Sequence, residues 1–190
     1  MLLYIVYYPS AWMKCNTKIE VSFYSDLRDT DSKPTCDLLD IFHEIKDGKW
    51  KTEVEACRLD ITLKKSLPCF TPSGVFFYRN SNGLTTYSGV ICLDLDAIDK
   101  PEALKEITKK IPWIWVSFIT PSGKGLKIFV LTNSISENFK HTEEEIASCF
   151  YKITGGIERD VRSKDLARLQ FVSNDPIIYI NPNPIYFSTI

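Results

Sequence analysis

An α/β fold is what the sequence predicts, and three observations carry the prediction. Apolar runs of strand length, among them Val90–Leu95, Trp115–Ile119 and Leu126–Leu131, are interleaved with segments of helical apolar spacing. One of these runs, Val90-Ile91-Cys92-Leu93-Asp94-Leu95-Asp96, ends in two carboxylates. The other two are joined by Thr120-Pro121-Ser122-Gly123-Lys124-Gly125, a hairpin loop rich in Ser and Gly. At 190 residues the chain has the length of one domain, with approximate lobes at 1–74 and 75–190.

Strand geometry sends alternate side chains to opposite faces, so Asp94 and Asp96 are expected on one side and Leu95 on the other. Residues two apart on a strand are separated by about 6.6 Å. Two bare carboxylates at that range repel by about 2.5 kcal/mol at an effective dielectric of ~20. A bound divalent cation offsets the repulsion, and so does a Lys or Arg placed between them. A plain acidic turn is the alternative, since Ala97-Ile98-Asp99-Lys100-Pro101 reads as a loop entering a helix.

Lys and Arg number 23 and Asp and Glu 24, a net charge of −1. That balance neither requires nor excludes nucleic acid, because a basic groove beside an acidic metal site sums to little. The cysteines at 15, 36, 57, 69, 92 and 149 contain no CxxC pair. This argues against zinc and for reduced thiols in a cytoplasmic protein. The apolar stretch from Met1 to Pro9 lacks a basic leading region and a small-residue cleavage site, and it is too short to span a membrane. It is expected to hold a first strand, Tyr4–Tyr8, and no membrane partner is expected.

Ile19, Val21 and Phe23 alternate with Glu20 and Ser22 as in a half-buried strand, and the polar stretch Asp26–Pro34 is a loop. Thr35 is expected to cap a helix with Leu38, Leu39, Phe42 and Ile45 inward, stopped by Gly48. Thr52 and Glu55 have capping-box spacing and open a second helix with Val54, Cys57 and Ile61 inward, ended by Pro68. Arg58, Lys64 and Lys65 then fall on its outer faces as solvated charge. Val75–Tyr78 and Leu84–Tyr87 flank an Asn82-Gly83 turn. Asp99 and Pro101 start a helix with Leu104, Ile107 and Ile111 inward. Thr142 and Glu145 make another capping box, for a helix that buries Ile146, Cys149, Phe150 and Ile153 and ends at Gly155-Gly156. A charged run from Glu158 to Arg168 passes into a strand over Leu169–Val172. Asn174-Asp175-Pro176 is a turn, and Ile177–Ile180 a last strand.

The glycines of the hairpin loop allow backbone N–H groups to turn toward an anion, and Ser122 and nearby lysines add donors. The loop is not a P-loop, because a strand follows it and not a helix. Lys127 shares its strand face with Phe129 and Leu131, so its ammonium needs either an anion or an exit to water.

In order along the chain stand Asp94-x-Asp96, the Ser122-Gly123-Lys124-Gly125-Leu126-Lys127 hairpin, and an acid at Asp160 followed by Arg168. This set resembles the archaeo-eukaryotic primase superfamily, the primase-polymerases, which carry an Asp-x-Asp/Glu pair, a Ser-x-His-like motif and a third acid on a later strand. Arg58, Lys65-Ser66-Leu67-Pro68, Ser73-Gly74-Val75-Phe76, Tyr87-Ser88-Gly89 and the stretch from Arg168 to Pro176 look like one bacterial branch. That branch is the VirE N-terminal-type domain, also found in CRISPR-associated primase-polymerases. The resemblance spans Ile19 to Tyr179, and Lys127 stands where the broader superfamily has His.

The resemblance implies an N-terminal αβ lobe packed on an RRM-like mixed sheet that carries the metals. It implies nucleotidyl transfer with nucleoside triphosphates on a DNA template and primer. Two divalent ions, Mg²⁺ or Mn²⁺, would be held by Asp94, Asp96 and Asp160, with Asp165 as the alternative third acid. Ser122, Gly123, Lys124, Gly125, Lys127 and Arg168 would bind nucleotide, and Arg58 and Lys65 would meet nucleotide or template phosphate. A non-catalytic nucleic-acid-binding domain of a replication or mobile-element protein, with a decayed active site, is the reading from a different class. A metal-dependent nuclease on the same carboxylates is a third.

Overall fold

Strands that are apolar on both faces need cover from two sides, and that requirement sets the layers of this protein. The computed structural model describes residues 18–30, 35–160 and 165–188, so the strand expected at Tyr4–Tyr8 lies outside the described residues. Along the chain run β1 (Glu20–Tyr24), β2 (Thr35–Asp37), α1 (Leu38–Lys46), α2 (Lys51–Leu59), β3 (Cys69–Thr71), β4 (Gly74–Phe76) and β5 (Leu84–Tyr87). Then follow β6 (Val90–Leu95), α3 (Pro101–Thr108), β7 (Ile114–Ile119), β8 (Leu126–Leu131), α4 (Phe139–Thr154), β9 (Gln170–Phe171) and β10 (Tyr179–Ile180).

The strands form three sheets, ordered β2-β1-β3-β9, β10-β7-β8-β6 and β4-β5. The expected mixed sheet is not what forms: every strand ladder among the described residues is antiparallel, and an isolated bridge from Thr132 to Phe187 is parallel. In the second sheet β8 lies between β6 and β7. All six residues of β6, of β7 and of β8 are buried. On one face Ile91, Leu93, Ile128 and Val130 pack against Leu104 of α3 and Ile146 and Phe150 of α4. On the other, Val90, Cys92, Phe118, Phe129 and Leu131 pack against α1, α2 and the first sheet. Phe42 of α1 centres this second core, with its ring edge-on to Phe129 at 4.8 Å and to Trp115 at 5.4 Å. A register shift between Ile114 and Val116 turns both Trp115 and Val116 to this side.

Several local expectations are corrected. Thr35 lies in β2, and Asp37 caps α1 by accepting from the Leu39 amide; Ile41 takes the buried place expected for Leu39. Thr52 and Glu55 lie inside α2, whose cap is Trp50, and the helix ends at Leu59, well before Pro68. Asp60 then caps a 3₁₀ turn over Ile61–Ser66, which leaves Ile61 exposed. Thr142 is also inside its helix, where its hydroxyl donates to the Asn138 carbonyl, and Ile153 is exposed. Ser22, expected to face solvent, is buried because its hydroxyl accepts from the Phe76 amide.

The largest departure is in α3, where Ile107 points out and Lys105 points in. Lys105 is fully buried against Asp175, with Nζ at 2.7 and 2.9 Å from the two carboxylate oxygens. Asp175 also accepts from the amides of Ile119 and Ile177. The turn expected at Asn174–Pro176 is therefore a buried anchor that ties α3 to the end of β7. The described cysteines are free thiols, and burial pushes Cys69 up to about 12 and Cys92 higher still. No helix among the described residues is long and apolar enough to cross a membrane.

Truncating one partner of a buried ion pair leaves the other charge desolvated, at a cost of about 3–5 kcal/mol. Lys105→Met is expected to lose that much stability in urea denaturation, and Lys105→Met with Asp175→Asn to lose clearly less than the sum of the two single changes.

Candidate functional site

Asp94 and Lys127 are direct partners in the β6–β8 ladder. Their side chains leave the same face of the sheet, the one covered by the first sheet, and Nζ lies 2.9 Å from Oδ1. Lys127 also donates to Oε1 of Gln170 on β9. Only 2% of Lys127 and 8% of Asp94 remains exposed. The apolar strand face of Lys127 thus finds its anion inside the chain, and the side chain does not exit to water. The ammonium approaches Oδ1 away from the hydrogen-bonding direction, so this buried oxygen has a neutralising charge beside it but no hydrogen-bond donor.

β6 ends at Leu95, and Asp96 is exposed just beyond it, ahead of Ala97 with its positive φ of 55°. Asp160 arrives at the same strand end from a distant part of the chain, and its amide donates to the Asp94 carbonyl at 2.7 Å. Its Oδ2 lies 3.4 Å from the Arg168 guanidinium. Asp165 is turned elsewhere: its carboxylate accepts from the Ser81 hydroxyl and the Ala167 amide, each at 3.0 Å. It thereby fastens the turn between β4 and β5.

The Ser122–Gly125 loop packs close to the end of β6. A Cβ on Gly125 would meet the Leu95 carbonyl at 2.4 Å, so only glycine permits this approach. Gly123 has φ +74°, a left-handed turn position. The loop is less open to an anion than its glycines imply. The Gly123 amide donates to the Thr120 carbonyl at 2.9 Å, and the Lys124 amide points to the Ser122 hydroxyl at 3.4 Å. The Lys124 side chain is exposed. Arg58 is not merely solvated helix charge: it donates to the Pro121 and Asn174 carbonyls and so clamps the hairpin loop to the segment after β9. Lys65 is exposed on its 3₁₀ turn. The residues that sequence reasoning missed are Gln170 and this clamp. A polar residue inside a strand-like run was the available signal for Gln170.

Among the described residues, no three His, Cys, Asp or Glu side chains come together as a metal-holding group. In kind, the donors still suit a hard divalent ion. Asp94 and Asp96 supply carboxylate oxygens at one strand end, and Asp94 Oδ1 is a buried acceptor with no donor. The model of the BT4734-like N-terminal domain family matches residues 62–180. The chain belongs to this family. It is a primase-related domain of the VirE N-terminal type. Neither a curated protein nor a solved structure gives a match to the chain. The matched stretch of this BT4734-like domain holds Asp94, Asp96, the hairpin loop, Lys127, Asp160 and Arg168, and it leaves Arg58 outside.

Breaking the Asp94–Lys127 pair from either side strands a buried charge. Asp94→Asn and Lys127→Met are each expected to destabilise the metal-free protein, by up to about 3–5 kcal/mol. The double variant is expected to be milder than the sum, as read by a double-mutant cycle in urea. Additive losses would show that the two charges do not depend on each other.

Proposed function

We propose that this BT4734-like domain is a metal-dependent nucleotidyltransferase, a primase-polymerase that builds DNA from nucleoside triphosphates on a DNA template and primer. The observation that carries the proposal is Asp94: a buried carboxylate with one oxygen lacking a donor, at the end of a strand beside a cation-bearing hairpin, in a primase-related domain. An RRM-like arrangement is supported by the order β6-β8-β7, by α3 linking β6 to β7, and by the amide of Asp160 on the outer edge of β6.

Asp94 and Asp96 would hold Mg²⁺ or Mn²⁺, and Asp160 is the third acid that the position of its amide favours over Asp165. Divalent ions, when bound, supply charge that lowers the pKa of the attacking hydroxyl and neutralises the leaving group. The chain's own cations do the rest. Lys124, exposed in the hairpin loop, and Lys127, two residues beyond it, would meet the triphosphate, and Arg168 lies beside Asp160. In the reaction the primer 3′-oxygen bonds to the α-phosphorus, the bond to the β-phosphate oxygen breaks, and the hydroxyl proton passes to solvent. Lys127 offsets the negative charge that builds on the departing pyrophosphate.

A second reading, nucleic-acid binding without catalysis, is favoured by one observation: Lys127 already neutralises Asp94. Pyrophosphate release by the purified chain with Mn²⁺, a primed template and deoxynucleoside triphosphates separates the two. Activity is expected, with Asp94→Asn and Asp160→Ala each losing at least about a hundredfold, the scale of removing one preorganised charge-stabilising group. Asp165→Ala is expected to be much milder. DNA binding with no pyrophosphate release, whatever the metal, would establish the second reading.

A further inference from the structure

We infer that Lys127 is an exchangeable cation: it neutralises Asp94 while the site holds no metal, and it swings to the incoming phosphate when a divalent ion takes its place on the carboxylate. The inference rests on the nucleotidyltransferase reading and assigns a regulation to the same site. Asp94 lies between two sheets, where a carboxylate without a nearby cation would be costly. Lys127 supplies that charge at 2.9 Å. A divalent ion coordinates a carboxylate oxygen at about 2.0–2.2 Å, and an ammonium cannot keep its present contact with the same oxygen beside it.

Three features make Lys127 suited to leave. Its contact with Oδ1 lacks hydrogen-bond alignment, so departure forfeits charge attraction but no directed bond. Its other partner, Gln170, is neutral and comes from a different sheet, so it can stay as a pivot. A lysine head is also a compact charge on a flexible stem with freely rotating donors, unlike a planar guanidinium that is fixed in one plane. The hairpin loop that Lys127 follows is the nearest exposed polar segment on its strand, and Lys124 is exposed there.

The consequence is a coupling. Metal alone must expel Lys127 without giving it a new anion, and phosphate alone must draw Lys127 away from Asp94. Together each provides what the other lacks, so the two bind cooperatively, and the coupling is reciprocal.

The test uses the full chain with Mn²⁺ alone, and then with inorganic triphosphate at saturating Mn²⁺. In Lys127→Met, Mn²⁺ alone is expected to bind tighter by about tenfold or more, because a like-charged competitor is gone. Triphosphate is expected to bind about ten- to a hundredfold more weakly, the range for one charge-assisted hydrogen bond. Opposite signs in a single variant are the signature of exchange, and a fall or no change in Mn²⁺ affinity overturns it. Should that variant not fold, wild-type protein decides the matter. The Lys127 ammonium resonance, assigned by its loss in Lys127→Arg, is expected to move when Mg²⁺ saturates the site. A resonance unmoved at saturation overturns the exchange while leaving the metal site intact. Unaltered Mn²⁺ affinity in Asp94→Asn overturns the nucleotidyltransferase reading itself, and the exchange with it.

Discussion

A lysine ammonium held between two sheets is the constraint around which the site is built. Lys127 comes from β8, its anion from the neighbouring strand β6, and its second partner Gln170 from a strand of the other sheet. None of the three is satisfied locally. A buried charge of this kind is tolerated only when its partners are fixed, and here they are fixed by ladder register on one side and by sheet-on-sheet packing on the other. The aromatic cluster of Phe42, Phe118 and Phe129 packs on the same face of the sheet. Among the described residues, the low exposure of Lys127 and Asp94 comes from their place between packed layers.

The segment from Arg168 to Ile178 joins the layers by polar contacts. Arg168 faces Asp160, Gln170 accepts from Lys127, and the Ser173 hydroxyl donates to the Ile119 carbonyl at 2.6 Å. The Asn174 carbonyl accepts from Arg58, and Asp175 pairs with Lys105. Five of the eleven residues from Arg168 to Ile178 thus make a polar contact to another part of the chain. Such contacts add little net energy individually, but losing one exposes the full desolvation cost of its partner.

Much of this was legible in the sequence. The strands β6, β7 and β8 follow from continuous apolar runs, and the hairpin between β7 and β8 from its Ser and Gly loop. That Lys127 needs either an anion or an exit to water also follows, because its ammonium shares a strand face with Phe129 and Leu131. That the anion is Asp94 does not follow, since strand pairing register is a long-range choice. Periodicity failed where polar residues turn inward. Lys105 was invisible because an apolar count reads a lysine as surface, and its burial depends on an aspartate 70 positions later. Capping boxes misled at Thr52 and Thr142 because the spacing recurs inside helices, where packing and not the cap sets the boundary.

The late position of the stitching segment has a bearing on how the protein is made. During synthesis β6, β7 and β8 emerge well before Gln170 and Asp175, so Lys127 lacks one partner and Lys105 its counter-ion Asp175 until the ribosome has passed them. Contacts of such sequence separation are slow to close, because a long loop must be ordered before they give anything back. The half-built sheet therefore waits with charged side chains on faces meant to be covered. Those charges disfavour premature stacking of one nascent sheet on another, the hazard of uncovered apolar strands. The charges that end up buried between the layers thus also work against aggregation until the chain can close over them.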